Sequence, residues 1–102
     1  MYTMGLRTEL QSLLETITPN VYFQPPASLQ MVYPCIVYKR DNMRPEFANN
    51  VPYLLTTRYL VTAIDRDPDS TIPSLIAALP LCLSNRAYSA NNLNHDVFVL
   101  YF

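Results

Sequence analysis

His95 is the one histidine of the chain, and Asp96 follows it directly. A general base and the carboxylate that orients it must lie side by side, whereas neighbours along a strand point to opposite faces, so this pair predicts no acid–base couple. A surface histidine close to a turn is the simpler reading. With a single histidine, multi-histidine metal sites are excluded. Asp65, Asp67 and Asp69 stand at alternate positions, like the first half of a calcium loop. The second half is missing: Ser70 takes the place of the turn glycine, and Ile76 falls where the bidentate glutamate belongs. The three carboxylates read instead as turn residues ahead of a helix, where the helix dipole favours negative charge and Pro68 stiffens the chain.

The remaining chemistry-bearing residues are dispersed. Gly5 is the only glycine and no serine stands in a GxSxG elbow, so loops that cradle phosphates or dinucleotides are excluded. Cys35 and Cys82 lie in apolar surroundings without CxxC spacing, which predicts buried thiols. Glu9 and Glu15 are solvent-facing on a helix. Lys39, Arg40 and Arg44 form the only basic cluster, diluted by Asp41 and Glu46, and the net charge is −1, which is no footprint for a phosphate backbone. No cofactor, no metal and no enzymatic activity are predicted.

The elements that would carry these residues follow from periodicity. Leu6, Leu10, Leu13, Leu14 and Ile17 share one face of a helix that Pro19 and Asn20 end. Val21 to Pro26 is short, aromatic and closed by two prolines, which suits an edge strand. Tyr33 to Arg40 is a strand with apolar residues on both parities, so cover is expected on both faces. Residues 41 to 52, "DNMRPEFANNVP", read as a long connection suited to binding. Leu54 to Asp65 returns as the longest strand, with Tyr59, Val61 and Ala63 on one parity. Ile72, Leu75, Ile76 and Leu79 then mark a second helix, capped by Asp69 or Ser70, tolerating Pro73 in its first turn and ending at Pro80. Asn85 to Asn91 and His95 to Phe102 finish the chain as strands joined across "NNLN".

The order α-β-β-β-α-β-β predicts one α+β domain over residues 1–102: a two-layer, mainly antiparallel sheet with both helices on one face. A chain of 102 residues buries only about 60 to 65% of its unfolded surface, so the core is thin. Half the residues are hydrophobic and 15% are charged, which excludes a disordered tail. Eight tyrosines and four phenylalanines supply core aromatics and interface-capable ones. Ile36, Tyr38, Leu60, Ile64, Phe98 and Leu100 are expected on the second sheet face, and an uncovered apolar face normally meets another chain. Met1 to Arg7 shows no secretion pattern, which predicts a protein made and kept in a cytoplasm, and the apolar run Ile72 to Leu83 is too short for a membrane span.

The leucine-rich first helix, the strand "YPCIVYKRD", the long loop, "RYLVTAIDRDPD" running into "SLIAAL", and the closing strand pair together resemble the tail terminator proteins of long-tailed bacteriophages. These are also called tail-completion or tail-to-head joining proteins, and the resemblance covers nearly the whole chain. It is most specific from Tyr59 to Leu79. What it implies is a structural virion protein of the tail neck, assembled in the bacterial host cytoplasm as a hexameric ring. The implied ring caps the head-proximal end of the tail tube, stops its polymerisation and docks the head connector or stopper. Its partners would be further copies of itself, the tube protein and the connector. DNA would pass through without sequence-specific binding, and no membrane is involved.

Loop length and charge place the subunit or tube contacts at Arg44, Glu46 and Phe47, with Arg40 and Arg58 as charge partners. Three alternatives remain open from the sequence. One is another phage neck or tail component of similar fold. A second is a small dimeric α+β binding module. The third is an enzyme with a dispersed site at His95 and Asp96 or Tyr88.

Overall fold

Two stretches, residues 7–41 and 58–102, are described by the computed structural model. Their elements run α1 (Arg7–Glu15), β1 (Val21–Phe23), β2 (Cys35–Arg40), β3 (Arg58–Asp65), α2 (Ile72–Ala77), β4 (Cys82–Ala90) and β5 (Leu93–Tyr101). This is the expected α-β-β-β-α-β-β order. The predicted long connection, apart from Asp41, and the start of the third strand at Leu54 lie outside the described residues.

The five strands form one mixed sheet in the order β1-β2-β3-β5-β4. β1 runs parallel to β2, and every other neighbouring pair is antiparallel. Register decides which side chains share a face, because residues directly opposite each other project to the same side. Tyr38 faces Val61, which faces Phe98, and Tyr59 faces Leu100. These residues join Leu10 and Leu14 of α1 and Ile72 and Ile76 of α2 in a single core cluster. Burying each of these leucines and isoleucines contributes about 1.5–3 kcal/mol, which is what holds two helices too short to persist alone.

The register corrects one expectation. Ile36, Tyr38, Phe98 and Leu100 lie under the helices, and of the six residues expected on the second face only Leu60 and Ile64 are there. Alternation assigns parities within a strand, but a one-residue change of register moves a whole parity to the other face, so pairing had to be known. Cys35, Val37, Thr62, Val97, Val99, Leu83 and Tyr88 are among the residues that share the second face with them.

Cover on both faces of β2 is present. Residues 24–34 cross from β1 to β2 over the second face, where the Val32 N–H donates to the Tyr22 hydroxyl at 3.1 Å. Cys35 beneath is fully buried. Burial, and behind it the negative charge of Asp65, pushes its thiol up to about 11.

The helix boundaries moved in small ways. α2 ends at Ala77, three residues ahead of Pro80, and its cap position is Thr71, whose side chain makes no capping bond. The predicted Ser70 still contributes, since its hydroxyl accepts the Ile72 N–H at 3.2 Å. Asp65 and Asp67 act as turn residues: their carboxylates accept the N–H groups of Asp67 and Asp69 at 3.0 and 2.9 Å.

Candidate interaction surface

The surface that stands out is the β4 edge, and the hairpin that presents it begins with two asparagines. Asn91 and Asn92 both adopt positive φ, 55° and 62°, between the directly paired Ala90 and Leu93. A two-residue turn with two left-handed residues matches the twist of the flanking strands, and asparagine tolerates that conformation better than most residues. The strands therefore extend further than expected: β4 starts at Cys82 rather than Asn85 and β5 starts at Leu93 rather than His95. The dipeptide was the signal that could have located the turn.

β4 is nine residues long, and all but Cys82 are exposed. Its first residue reaches the core cluster beside Leu79. Beyond it, Leu83 keeps 59% of its surface exposed and Tyr88 43%. The ladder is interrupted once, between Ser84 and Arg86, by a bulge at Asn85. On the second sheet face, Tyr88 stacks on His95 with ring centroids 4.6 Å apart and planes 7° apart. The Arg86 guanidinium lies 5.0 Å from the centre of the Tyr88 ring, so a cation, a phenol and an imidazole form one exposed stack. The turn end of the hairpin is tied down by Asn94, whose amide donates to the Asp65 and Arg66 carbonyls at 3.3 Å each.

His95 and Asp96 are on opposite faces, as alternation predicted: His95 pairs with Ile64 and Tyr88, and Asp96 with Ala63 and Ala87. The structure thus does not bring them together as a base and its orienter. The Nδ1 atom of His95 lies 3.2 Å from the Leu93 carbonyl, to which it donates when protonated.

Of the predicted contact residues, Arg40 and Arg58 are described, and they lie on opposite faces of the sheet. Arg58 pairs with Tyr101 on the second face, while Arg40 pairs with Tyr59 on the helix-covered face. Arg58 Nε forms an ion pair with Asp41 Oδ2 at 2.9 Å, and its guanidinium lies 6.0 Å from the Tyr101 ring centre. The Arg40 side chain is exposed, and its backbone N–H donates to Gln24 Oε1 at 3.3 Å. Arg44, Glu46 and Phe47 lie outside the described residues.

Among the described residues, no three His, Cys, Asp or Glu side chains converge as metal ligands, and no helix is long and apolar enough to cross a membrane. The Cys82 thiol is pushed up by burial. What the arrangement offers is a strand edge with aromatic and apolar side chains beside it. Comparison of the chain with family models, curated proteins and solved structures finds no match.

Proposed function

We propose that this chain is a structural assembly subunit of a phage tail neck, of the tail-terminator kind. It forms a ring, hexameric by the resemblance, that caps the head-proximal end of the tail tube and presents a docking surface to the head connector. Its work is done by surfaces rather than by a reaction centre. The observation that carries this reading is the nine-residue β4 edge, exposed nearly throughout and flanked by Leu83 and Tyr88. A thin-cored domain with such an edge gains by meeting neighbours, and a ring subunit meets two of them through unlike patches. Arg40 belongs to the proposed contact set as an exposed charge. Arg58 belongs to it as a cation paired with Asp41.

The test is capture of the tagged chain from a phage-producing culture, with co-purifying proteins identified and the eluate imaged by electron microscopy. Tube and connector proteins, with ring-shaped caps on tail ends, are the expected result. Capture without either protein, from a culture that releases intact phage, would overturn the reading.

A further inference from the structure

The sheet of the described residues has two edges, and they differ in how open they are to pairing. At the β1 edge the strand has three residues, and the Val21 carbonyl already accepts from Gln11 Nε2 of α1 at 3.2 Å. Gln24, just past the strand, turns the chain away with φ 44°. At the β4 edge the hydrogen-bond phase follows from one bond: the Tyr101 N–H donates to the Leu81 carbonyl at 3.1 Å. Alternation from that pair, carried across the bulge along β5, directs the backbone groups of Leu83, Arg86, Tyr88 and Ala90 towards β5. Those of Cys82, Ser84, Ala87 and Ser89 point outward.

Strand edges of soluble proteins are normally blunted by lysine, proline, a short strand or a bulge. β4 has neither lysine nor proline, and its one bulge leaves the stretch from Arg86 to Ala90 regular. Arg86 is its only charged residue. Among the described residues of a second copy, the edge able to accept β4 is its β4.

We infer that β4 pairs antiparallel with β4 of a second copy about a twofold axis at Ala87, setting each Arg86 across from the partner's Tyr88. In this register Ala87 faces its own copy through the outward-pointing backbone groups. Arg86 and the partner's Tyr88 form a pair without mutual hydrogen bonds, the arrangement that brings cross-strand side chains closest. The guanidinium that already lies over Tyr88 in its own chain thus gains a second ring, twice over, and no like charges are opposed. The regular contact spans Arg86 to Tyr88 on each strand, with Asn85 of the bulge across from the partner's Ser89, and it falls below about 1,200 Å² of total buried surface, so the pair is reversible and depends on concentration. This goes beyond the ring reading: it describes the free chain, whose bare edge is masked until a neighbour or tube competes for it.

Sedimentation of the full chain over a dilution series tests the pairing, with mass expected to rise from one chain towards two. Ala87→Pro removes an outward N–H while sparing every bond to β5, and proline is tolerated at such edge positions. It should weaken pairing more than tenfold with thermal unfolding nearly unchanged. Arg86→Ala should weaken it about tenfold through the loss of two cation–π contacts. Geometry is read independently in a Cys82→Ala background: Ala87→Cys should form a disulfide with its own copy, and Ala90→Cys should not. A single-chain mass at every concentration, or equal cross-linking of the two cysteines, would overturn the proposal. Sixfold mass with Ala87→Cys uncross-linked would overturn it and leave the ring standing, whereas twofold pairing without caps on tails would support it and remove the ring.

Discussion

The two edges of the sheet show opposite solutions to one problem. A strand at an edge carries a row of unpaired backbone groups, and something has to satisfy or shield them. At β1 the solution is local in space and distant in sequence. Gln11 of α1 donates to the Val21 carbonyl and accepts from the Tyr38 hydroxyl, which also receives a 3.3 Å bond from Arg7. The Arg7 guanidinium lies 4.6 Å from the centre of the Phe23 ring, closing the same corner. At β4 no such closure exists along Arg86 to Ala90 among the described residues, and the side chains nearby stack with each other. The difference teaches that the sheet is one-ended: growth or pairing by strand addition has one direction available to it.

The largest effect that would sharpen this contrast is on the closed side. Leu14 is fully buried in the core cluster, so Leu14→Ala should destabilise the fold by about 2–5 kcal/mol in chemical or thermal unfolding. Gln11→Ala comes next. It removes the donor to the Val21 carbonyl and the acceptor of the Tyr38 hydroxyl, which keeps its bond from Arg7; the loss is about 1–3 kcal/mol, and it should open the β1 edge to exchange by hydrogen–deuterium measurements. Loss below the error of the measurement would mean that the edge is closed by something other than Gln11.

A smaller effect is set by pH. The Cys35 thiol is raised from 9.0 to about 11 in the folded chain, so below pH 9 both folded and unfolded states keep the proton. Between 9 and 11 the unfolded thiol ionises first, and stability contributed by the buried neutral thiol is lost as pH rises through that window. Urea midpoints of the native chain and Cys35→Ala should therefore differ by a constant amount below pH 9 and converge towards 11. In the native state a thiol reagent should modify half-buried Cys82 well before Cys35. The smallest effect belongs to the open side. Leu83→Ala removes an exposed side chain and should change stability of the dilute chain by less than about 0.5 kcal/mol. A cost as large as that of Leu14→Ala would show that β4 is covered after all.

Much of this was legible beforehand, for reasons that differ by element. The spacing of Leu10 and Leu14 announced α1, and the prolines after Phe23 announced a short edge strand, because both signals act through the local backbone. The alternation in Arg58–Asp65 announced β3 in the same way. The separation of His95 from Asp96 was legible too, since it follows from strand geometry alone. The boundary of β4 was missed by three residues because "CLSN" has no strong alternation, and its exposure leaves no hydrophobic pattern to read. Arg40 and Arg58, chosen for charge, fall on opposite faces: they belong to neighbouring antiparallel strands, and their parities relative to each other depend on a register that the sequence does not state.

Taken alone, the sequence determined the class of fold, the order of the elements among the described residues, and the exclusion of multi-histidine, glycine-rich and nucleophile-elbow chemistry. These depend on residue type and on periods of two and 3.6, which any stretch of chain expresses by itself. The tertiary structure alone decided which parity of each strand meets the helices, that α1 closes the β1 edge through Gln11, and that β4 is left bare. Those outcomes depend on which strands become neighbours and in what register, and such pairings join residues far apart in the chain through backbone groups that every residue shares.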